Sequence, residues 1–327
     1  MSNNQNTAPG PGGDPEVSVI VPSYNTAPYI AETLDSVFAQ TFKDYEVIVI
    51  NDGSPDTEKL DRVLQPYRDR ILYIKQENRG LAGARNAGIR RARGKYLAFL
   101  DSDEAWSPEY LAEQVRILQE RQNLDAIYCD VLHYWDSIES GRSFMKRCPS
   151  KGPVTFESLL KEECHIPVSN TLVRKQAVVD AGLFDERLRR VEDYDLWLRM
   201  THRKAKIAYH AKLLGRARQR KDSLSASTVA MLEALDMVLS RLQESLDLSP
   251  GERALLQWKA AETQARCELE RGKDLIYEGK LDEAVCSLQK ANAFYRKRKL
   301  RLVILGLKIA PRLASRGARV FQSWRSR

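Results

Sequence analysis

Three short polar clusters in the first 103 residues carry the side chains best suited to chemistry. Asp101-Ser102-Asp103 follows the apolar run 95–100 (KYLAFL). Two carboxylates two residues apart at a strand end can offer hard oxygen ligands to one divalent cation, Mn²⁺ or Mg²⁺, which then bridges to substrate phosphates. The same three residues could equally be a strand-to-helix turn. Asn51-Asp52-Gly53 ends a second apolar run, 45–50 (YEVIVI). Its acid could accept an N–H from a heterocyclic base while Gly53 lets backbone approach closely, or it could be turn chemistry alone. Ser23-Tyr24-Asn25 ends a third run, 17–22 (VSVIVP). Farther along, Glu192-Asp193-Tyr194-Asp195 precedes Leu196-Trp197-Leu198. Acids at a helix start favour the dipole, and a carboxylate there could also act as a general base, worth ~100- to 10,000-fold in rate.

Such groups need a frame that brings them together. Runs 17–22, 45–50, 71–75 and 95–100 are short, apolar and rich in β-branched or aromatic residues. The segments 27–40, 56–67 and 81–93 between them have helical spacing. Strands alternating with helices of this length predict βαβ units and a parallel sheet, in which ligands bind beyond the carboxyl ends of the strands. All three polar clusters fall at those ends. Beyond them the spacing predicts a strand over 125–134, a loop over 136–151, a helix over 155–161, and a strand over 166–174 running into a helix at 176–181. From 225 to 289 the pattern is helical, and 275–295 reads as a tetratricopeptide-like hairpin turning at Gly279.

Composition narrows the classes. Of 327 residues, 43% are hydrophobic, enough for a substantial core. Five cysteines with no Cys-x-x-Cys pair argue against a disulfide framework or a structural zinc site and predict a reducing, cytoplasmic setting. Residues 1–15 are polar and rich in Gly, Pro and Asn, a disordered leader rather than a signal peptide. No stretch approaches the roughly 20 apolar residues of a spanning helix. The net charge of +8 is concentrated: 296–327 hold 11 Lys or Arg and no acid, so removing those 11 from 52 basic residues leaves 41 against 44 acidic ones, a net of −3. The body therefore does not read as a nucleic-acid binder. The tail has basic residues at helical spacing (Lys308, Arg312, Arg316, Arg319) and an apolar set (Leu313, Val320, Phe321, Trp324). It is expected either to lie on an anionic membrane surface, making the protein peripheral, or to dock on the helical region before it.

Five segments occur in order: VSVIVPSYN (17–25), VIVINDGSPD (47–56), ENRGLAGARNAGIRRARGKYLAFLDSDE (77–104), GLFDERL (182–188) and EDYDLWLRM (192–200). Together they resemble the family 2 glycosyltransferases, inverting enzymes of the GT-A fold, over about two thirds of the chain. The resemblance implies a Rossmann-like, mainly parallel α/β sheet with flanking helices over 16–227, followed by a helical extension (228–295) and the basic tail (296–327). It implies transfer of one sugar from a nucleoside-diphosphate sugar, a UDP-sugar in the family's commonest case, to a glycan or lipid-linked acceptor in envelope or exopolysaccharide assembly.

By the same resemblance, Pro22, Tyr24, Asn25 and Asp52 hold the donor's base; Asn78, Gly80 and Arg85 line the nucleotide pocket, Arg85 close to phosphate or to Asp101. Asp101 with Ser102 approaches the ribose, Asp103 with Asp101 ligates the metal, and Asp193 is the base with Glu192 beside it. Trp106 and Trp197 offer a sugar-stacking face or a core role, and Ser169, Asn170 and Arg174 border the acceptor. Where many relatives carry Tyr-Arg-x-His before Ser-x-Ser, this chain reads Arg216-Ala217-Arg218-Gln219-Arg220 before Ser223-Leu224-Ser225. Arg218 and Arg220 can neutralise a diphosphate but are poor metal ligands. A non-catalytic scaffold of the same fold is the alternative. A sugar nucleotidyltransferase is disfavoured, because the first strand is followed by Ser23-Tyr24-Asn25 rather than a Gly-rich, Arg-containing loop.

Overall fold

The apolar runs become central strands because helices cover both their faces. In the computed structural model, which describes residues 13–135, 138–220 and 227–309, β1 (Val17–Ser23) is buried along its whole length. α1 (Ile30–Phe38) leads to β2 (Tyr45–Asp52), then α2 (Thr57–Leu64), a 3-10 turn (Gln65–Arg70) and β3 (Leu72–Gln76). α3 (Gly80–Arg91) leads to β4 (Tyr96–Phe99). These four strands are parallel, in the order β3-β2-β1-β4. The chain moves outward from β1 to β3 and then crosses back to place β4 on the other side of β1. The crevice between β1 and β4 is thus a topological switch point, where such sheets bind ligands. α3 lies very close to the sheet: a Cβ at Gly88 would come within 2.5 Å of Ile20 Cγ2 and 3.0 Å of Ile50 Cδ1. The small residues of α3 therefore serve helix-to-sheet contact, and that closeness carries Arg85 under the site.

The second half of the sheet is mixed. β5 (Ala105–Trp106), α4 (Tyr110–Glu120), β6 (Ala126–Trp135), β7 (Ile138–Ser143), α5 (Phe144–Arg147) and α6 (Phe156–Leu160) follow. Next come β8 (Thr171–Arg174), α7 (Lys175–Asp180), α8 (Glu192–His202) and β9 (Ile207–Arg218). The order continues β4-β8-β6-β9-β5, with β7 on β6. β8 runs antiparallel to β4 and β6, whereas β9 is parallel to β6. Within the loop expected over 136–151, β7 pairs antiparallel with β6 and α5 follows it. Its polar sequence hid the pairing, since a strand added at a sheet's margin needs no continuous apolar run. β5 and β9 were also not foreseen: β5 is two residues long, and β9 (IAYHAKLLGRAR) is interrupted by basic residues.

The chain divides into two compact units, Met1–Lys221 and Asp222–Arg327. The second contains α9 (Thr228–Ser245), α10 (Pro250–Glu278), α11 (Leu281–Tyr295) and α12 (Arg298–Ile309). Ser249 and Glu252 form a capping box at the start of α10, and Gly279, at φ 80°, ends it in the left-handed conformation that glycine favours. Ile276, Ala284, Leu288, Ile304 and Leu307 form its core. None of the described helices is long and apolar enough to cross a membrane. The five cysteines are free. Residues 1–12 of the expected leader, 310–327 of the expected amphipathic tail and the Ser223-Leu224-Ser225 motif lie outside the described residues.

Candidate active site

The three polar clusters meet at the carboxyl edge of β1, β2 and β4, and hydroxyls stitch them together. Ser23 Oγ lies 2.9 Å from Thr26 Oγ1, which lies 2.7 Å from Ser102 Oγ, linking the loops after β1 and β4 across the switch point. Ser102 is buried by this contact. The loops after β1 and β2 are tied in turn: Asn25 N–H donates to Ser54 Oγ at 2.7 Å and Ala27 N–H to Asp56 Oδ2 at 3.0 Å. Asn25 adopts a left-handed φ of 54°, which turns the chain out of β1 and leaves Tyr24 51% exposed beside buried Pro22.

Asp52 is buried at the end of β2, where its Oδ1 accepts from Gln76 Nε2 at 2.7 Å and from Arg79 N–H at 2.8 Å. Gly53 has φ 64°, and a Cβ there would sit 2.7 Å from the backbone N of Asn78. The close approach expected of Gly53 is thus to the segment holding Asn78 and Gly80, which starts α3.

Arg85 connects the two halves of the site. It is 1% exposed, with its guanidinium donating to Asp101 Oδ1 at 2.8 Å and to Glu192 Oε1 at 2.6 Å, over the Phe184 ring at 5.4 Å. Of the two positions expected for it, Arg85 takes the one against Asp101. The loop reaching Glu192 is pinned to the same helix. Asn86 and Phe184 exchange hydrogen bonds, Nδ2 to carbonyl at 2.8 Å and N–H to Oδ1 at 3.0 Å. Glu186 accepts from Asn86, Arg79 and Arg90. Val191, just before α8, is left-handed at φ 52°, a costly conformation for a β-branched residue, directly before Glu192.

The acids of α8 have different partners. Asp195 is fully buried against Arg199 at 2.7 Å, a structural pair whose guanidinium also caps the 181–183 carbonyls. Glu192 is held by Arg85. Asp193, partly exposed, accepts the neighbouring Tyr194 N–H on Oδ1 at 2.8 Å. Burial raises Glu192 to about 7 and raises Asp193 from its ordinary value, in both cases against the pull of Arg85.

On the β4 side, burial and the Asp101 charge push Asp103 up to about 6, although Arg220 Nη1 lies 3.2 Å away and opposes the rise. Glu104 is raised as well, by burial and by both aspartates. These carboxyls crowd one another in a buried setting and their donors are hard oxygens, so the residues fit a divalent cation. Among the described residues no three His, Cys, Asp or Glu side chains are grouped to hold one ion. Asp101 and Asp103 would thus supply only part of a coordination shell, as magnesium and manganese accept when water and phosphate complete it.

Antiparallel pairing of β9 with β5 (Ala105 to Arg216, Trp106 to Gly215) brings the arginines near residue 218 back to Asp103. Arg218 and Arg220 each sit 5.0 Å from the Tyr29 ring, and Arg218 also pairs with Glu32.

Some expected roles do not fit. Arg174 ends β8, which is antiparallel to β4, so it lies beside Tyr96 at the opposite end of the sheet, bonded to the carbonyls of Leu118, Gln122 and Leu124. Ser169 and Asn170, at the other end of that strand, stay near the site; the Asp101 N–H donates to Ser169 Oγ at 3.3 Å. Of the two roles open to the tryptophans, the core one holds: Trp106 is stacked on Tyr110 at 4.1 Å and Trp197 is 1% exposed. Thr26, Tyr29, Glu32, Gln76 and Glu104 were missed. Thr26 and Glu104 adjoin the motifs directly, and that adjacency was the available signal.

The family model described as glycosyl transferase family 2 matches residues 18–180. An uncharacterised glycosyltransferase of Rickettsia prowazekii is 31% identical over 244 residues, covering 72% of this chain and 71% of the relative. Among solved structures, residues 1–349 of Staphylococcus aureus TarS in complex with UDP-GlcNAc match with a TM-score of 0.63 at 20% identity, covering 95% of this chain and 92% of that one. The mannosyltransferase PcManGT of Pyrobaculum calidifontis, in complex with GDP-Man and Mn²⁺, matches at 0.60 and 20%, covering 98% and 88%. At such identities the likeness bears on the fold, which is GT-A with a helical extension.

Proposed function

The chain belongs to glycosyltransferase family 2, and on that premise we propose that it moves one hexosyl or N-acetylhexosaminyl group from a UDP-sugar to a hydroxyl of a glycan or lipid-linked acceptor, with inversion at the anomeric carbon. The observation that carries this reading is the buried Arg85, whose two hydrogen bonds tie Asp101, at the donor end of β4, to Glu192, beside the candidate base.

The base of the donor lies between Tyr24 and Asp52, whose Oδ1 is already engaged and whose Oδ2 is left to accept an N–H. Asn78 and Gly80 border it, and Asp101 faces the ribose. A divalent ion on Asp103 and Asp101 would supply positive charge against the departing diphosphate. Arg218 and Arg220 add further positive charge beside Asp103. Asp193 accepts the acceptor hydroxyl's proton as the oxygen attacks. Its raised pKa suits it to hold that proton, and Glu192, locked on Arg85, keeps the start of α8 in position. A single base suffices for one displacement, and inversion follows from attack opposite the leaving group.

UDP-GlcNAc and GDP-mannose are the first donors to try, because two structural neighbours are complexes with them. Transfer to a simple acceptor glycoside with Mn²⁺, read by NMR, is expected to give a β-linked product from an α-linked donor. Retention of configuration would overturn the mechanism.

A further inference from the structure

α12 (Arg298–Ile309) presents two apolar stripes. At 100° per residue, Leu300, Ile304 and Leu307 share one face, and Ile304 and Leu307 are buried in the core of the helical unit with Leu300 packed against them. On roughly the opposite face, Leu302, Leu305 and Ile309 fall within about 60° of arc and are 68%, 51% and 73% exposed. Among the described residues, packing within the unit uses the first stripe. Arg298 falls within the arc of the second at the start of the helix, Arg301 and Lys308 flank it on one side and Lys299 on the other, and all four are exposed. α12 contains no acid. Arg301, Lys308 and Leu305 also line a groove of about 410 Å³ with Gln289 and Asn292 of α11.

We infer that this outward face of α12 binds an anionic phospholipid surface, with Leu302, Leu305 and Ile309 entering the headgroup–acyl boundary. Arg301 and Lys308 hold a phosphate headgroup at the groove, where Gln289 and Asn292 can donate to its oxygens. Charge selects this occupant. A protein partner could cover an apolar stripe of either sign, but a stripe flanked only by cations matches a surface that is apolar beneath and negative above. The sequence continues the same pattern: residues 310–327 hold five arginines and no acid. The inference rests on the second unit alone and is independent of the reading of the active site.

The test is co-sedimentation of the full-length protein with vesicles of phosphatidylcholine alone or with about one third phosphatidylglycerol, as the anionic lipid. Two double variants are compared, Leu302→Gln with Ile309→Gln and Arg301→Glu with Lys308→Glu. All four side chains are exposed, so circular dichroism is expected to match the wild type, and nucleotide-sugar binding serves as an independent check of the first unit. The wild type is expected to partition onto the anionic vesicles only, and each variant pair to weaken this by about tenfold or more. Equal partitioning of wild type and both variants would overturn the inference, as would no binding by the wild type. So would a wild-type dimer in light scattering that the Leu302 and Ile309 changes dissociate, since a second copy would then be the occupant.

Discussion

Replacing Arg85 by methionine is expected to destabilise the first unit by several kcal/mol, and to do so in a pH-dependent way. The side chain is 1% exposed and bonds two carboxylates, of which Glu192 is itself 4% exposed and Asp101 about one third exposed. Removing one partner of a buried ion pair typically costs about 3–5 kcal/mol, because the remaining charge is left unpaired. The Glu192 side should dominate, since water can solvate Asp101. Glu192 is raised from 4.5 to about 7 even with Arg85 in place. Its folded state therefore binds the proton more tightly than the unfolded chain does. The stability from this group is full below pH about 4.5 and is lost as pH rises through about 7, on the order of 3 kcal/mol at one pKa unit per 1.4 kcal/mol. Without Arg85 the carboxyl moves higher still. The loss at pH about 8 should then exceed the loss at pH about 5.5 by at least 1 kcal/mol or so. Urea titrations at both values, followed by tryptophan fluorescence with Trp258 of the second unit replaced by Phe, measure this directly. A loss under about 1 kcal/mol, or one equal at the two pH values, would refute the argument that Arg85 is a buried strut between two acids.

Other outcomes follow from the same geometry. Asp193→Ala is expected to lower kcat by ~100- to 10,000-fold while donor affinity by calorimetry stays unchanged; weakened donor binding would assign Asp193 elsewhere. The acidic limb of the kcat profile should fall above the value of an ordinary aspartate, because Asp193 acts deprotonated and burial raises its pKa. A limb near pH 4 would contradict that environment. Gly53→Ala should destabilise by more than about 1 kcal/mol in thermal or urea unfolding, from its positive φ and the 2.7 Å approach to Asn78; a neutral result would show that the β2 turn can relax.

The first half of the fold was legible because each of β1 to β4 announces itself by an apolar run closed by polar residues, and the alternation with helices forces the parallel order. The donor side of the candidate site was legible for the same reason, since Asp52, Asp101 and Asp103 stand at or just beyond strand ends, whereas Glu192 and Asp193 were legible as an acid cluster before the apolar run of α8. What escaped depends on pairing rather than on local pattern. β5 is too short to signal, β9 is broken by Lys212 and Arg216, and only their antiparallel contact brings Arg218 and Arg220 to Asp103. Arg174 was misread for want of one sign: a strand antiparallel to β4 carries its last residue away from the site. The helical unit was visible as helix, but the second stripe of α12 could be recognised only once Ile304 and Leu307 were known to be its buried face.

The central claim is that this chain binds a nucleotide sugar through Asp103 and uses Asp193 to activate an acceptor. Calorimetry with a panel of nucleotide sugars, in Mn²⁺, Mg²⁺ or EDTA, on wild type, Asp103→Ala and Asp193→Ala tests it most directly when paired with a turnover assay. The account predicts one donor that binds only with metal, loss of that binding in Asp103→Ala, and binding without turnover in Asp193→Ala. No binding of any donor with either metal, or full turnover by Asp193→Ala, would contradict it.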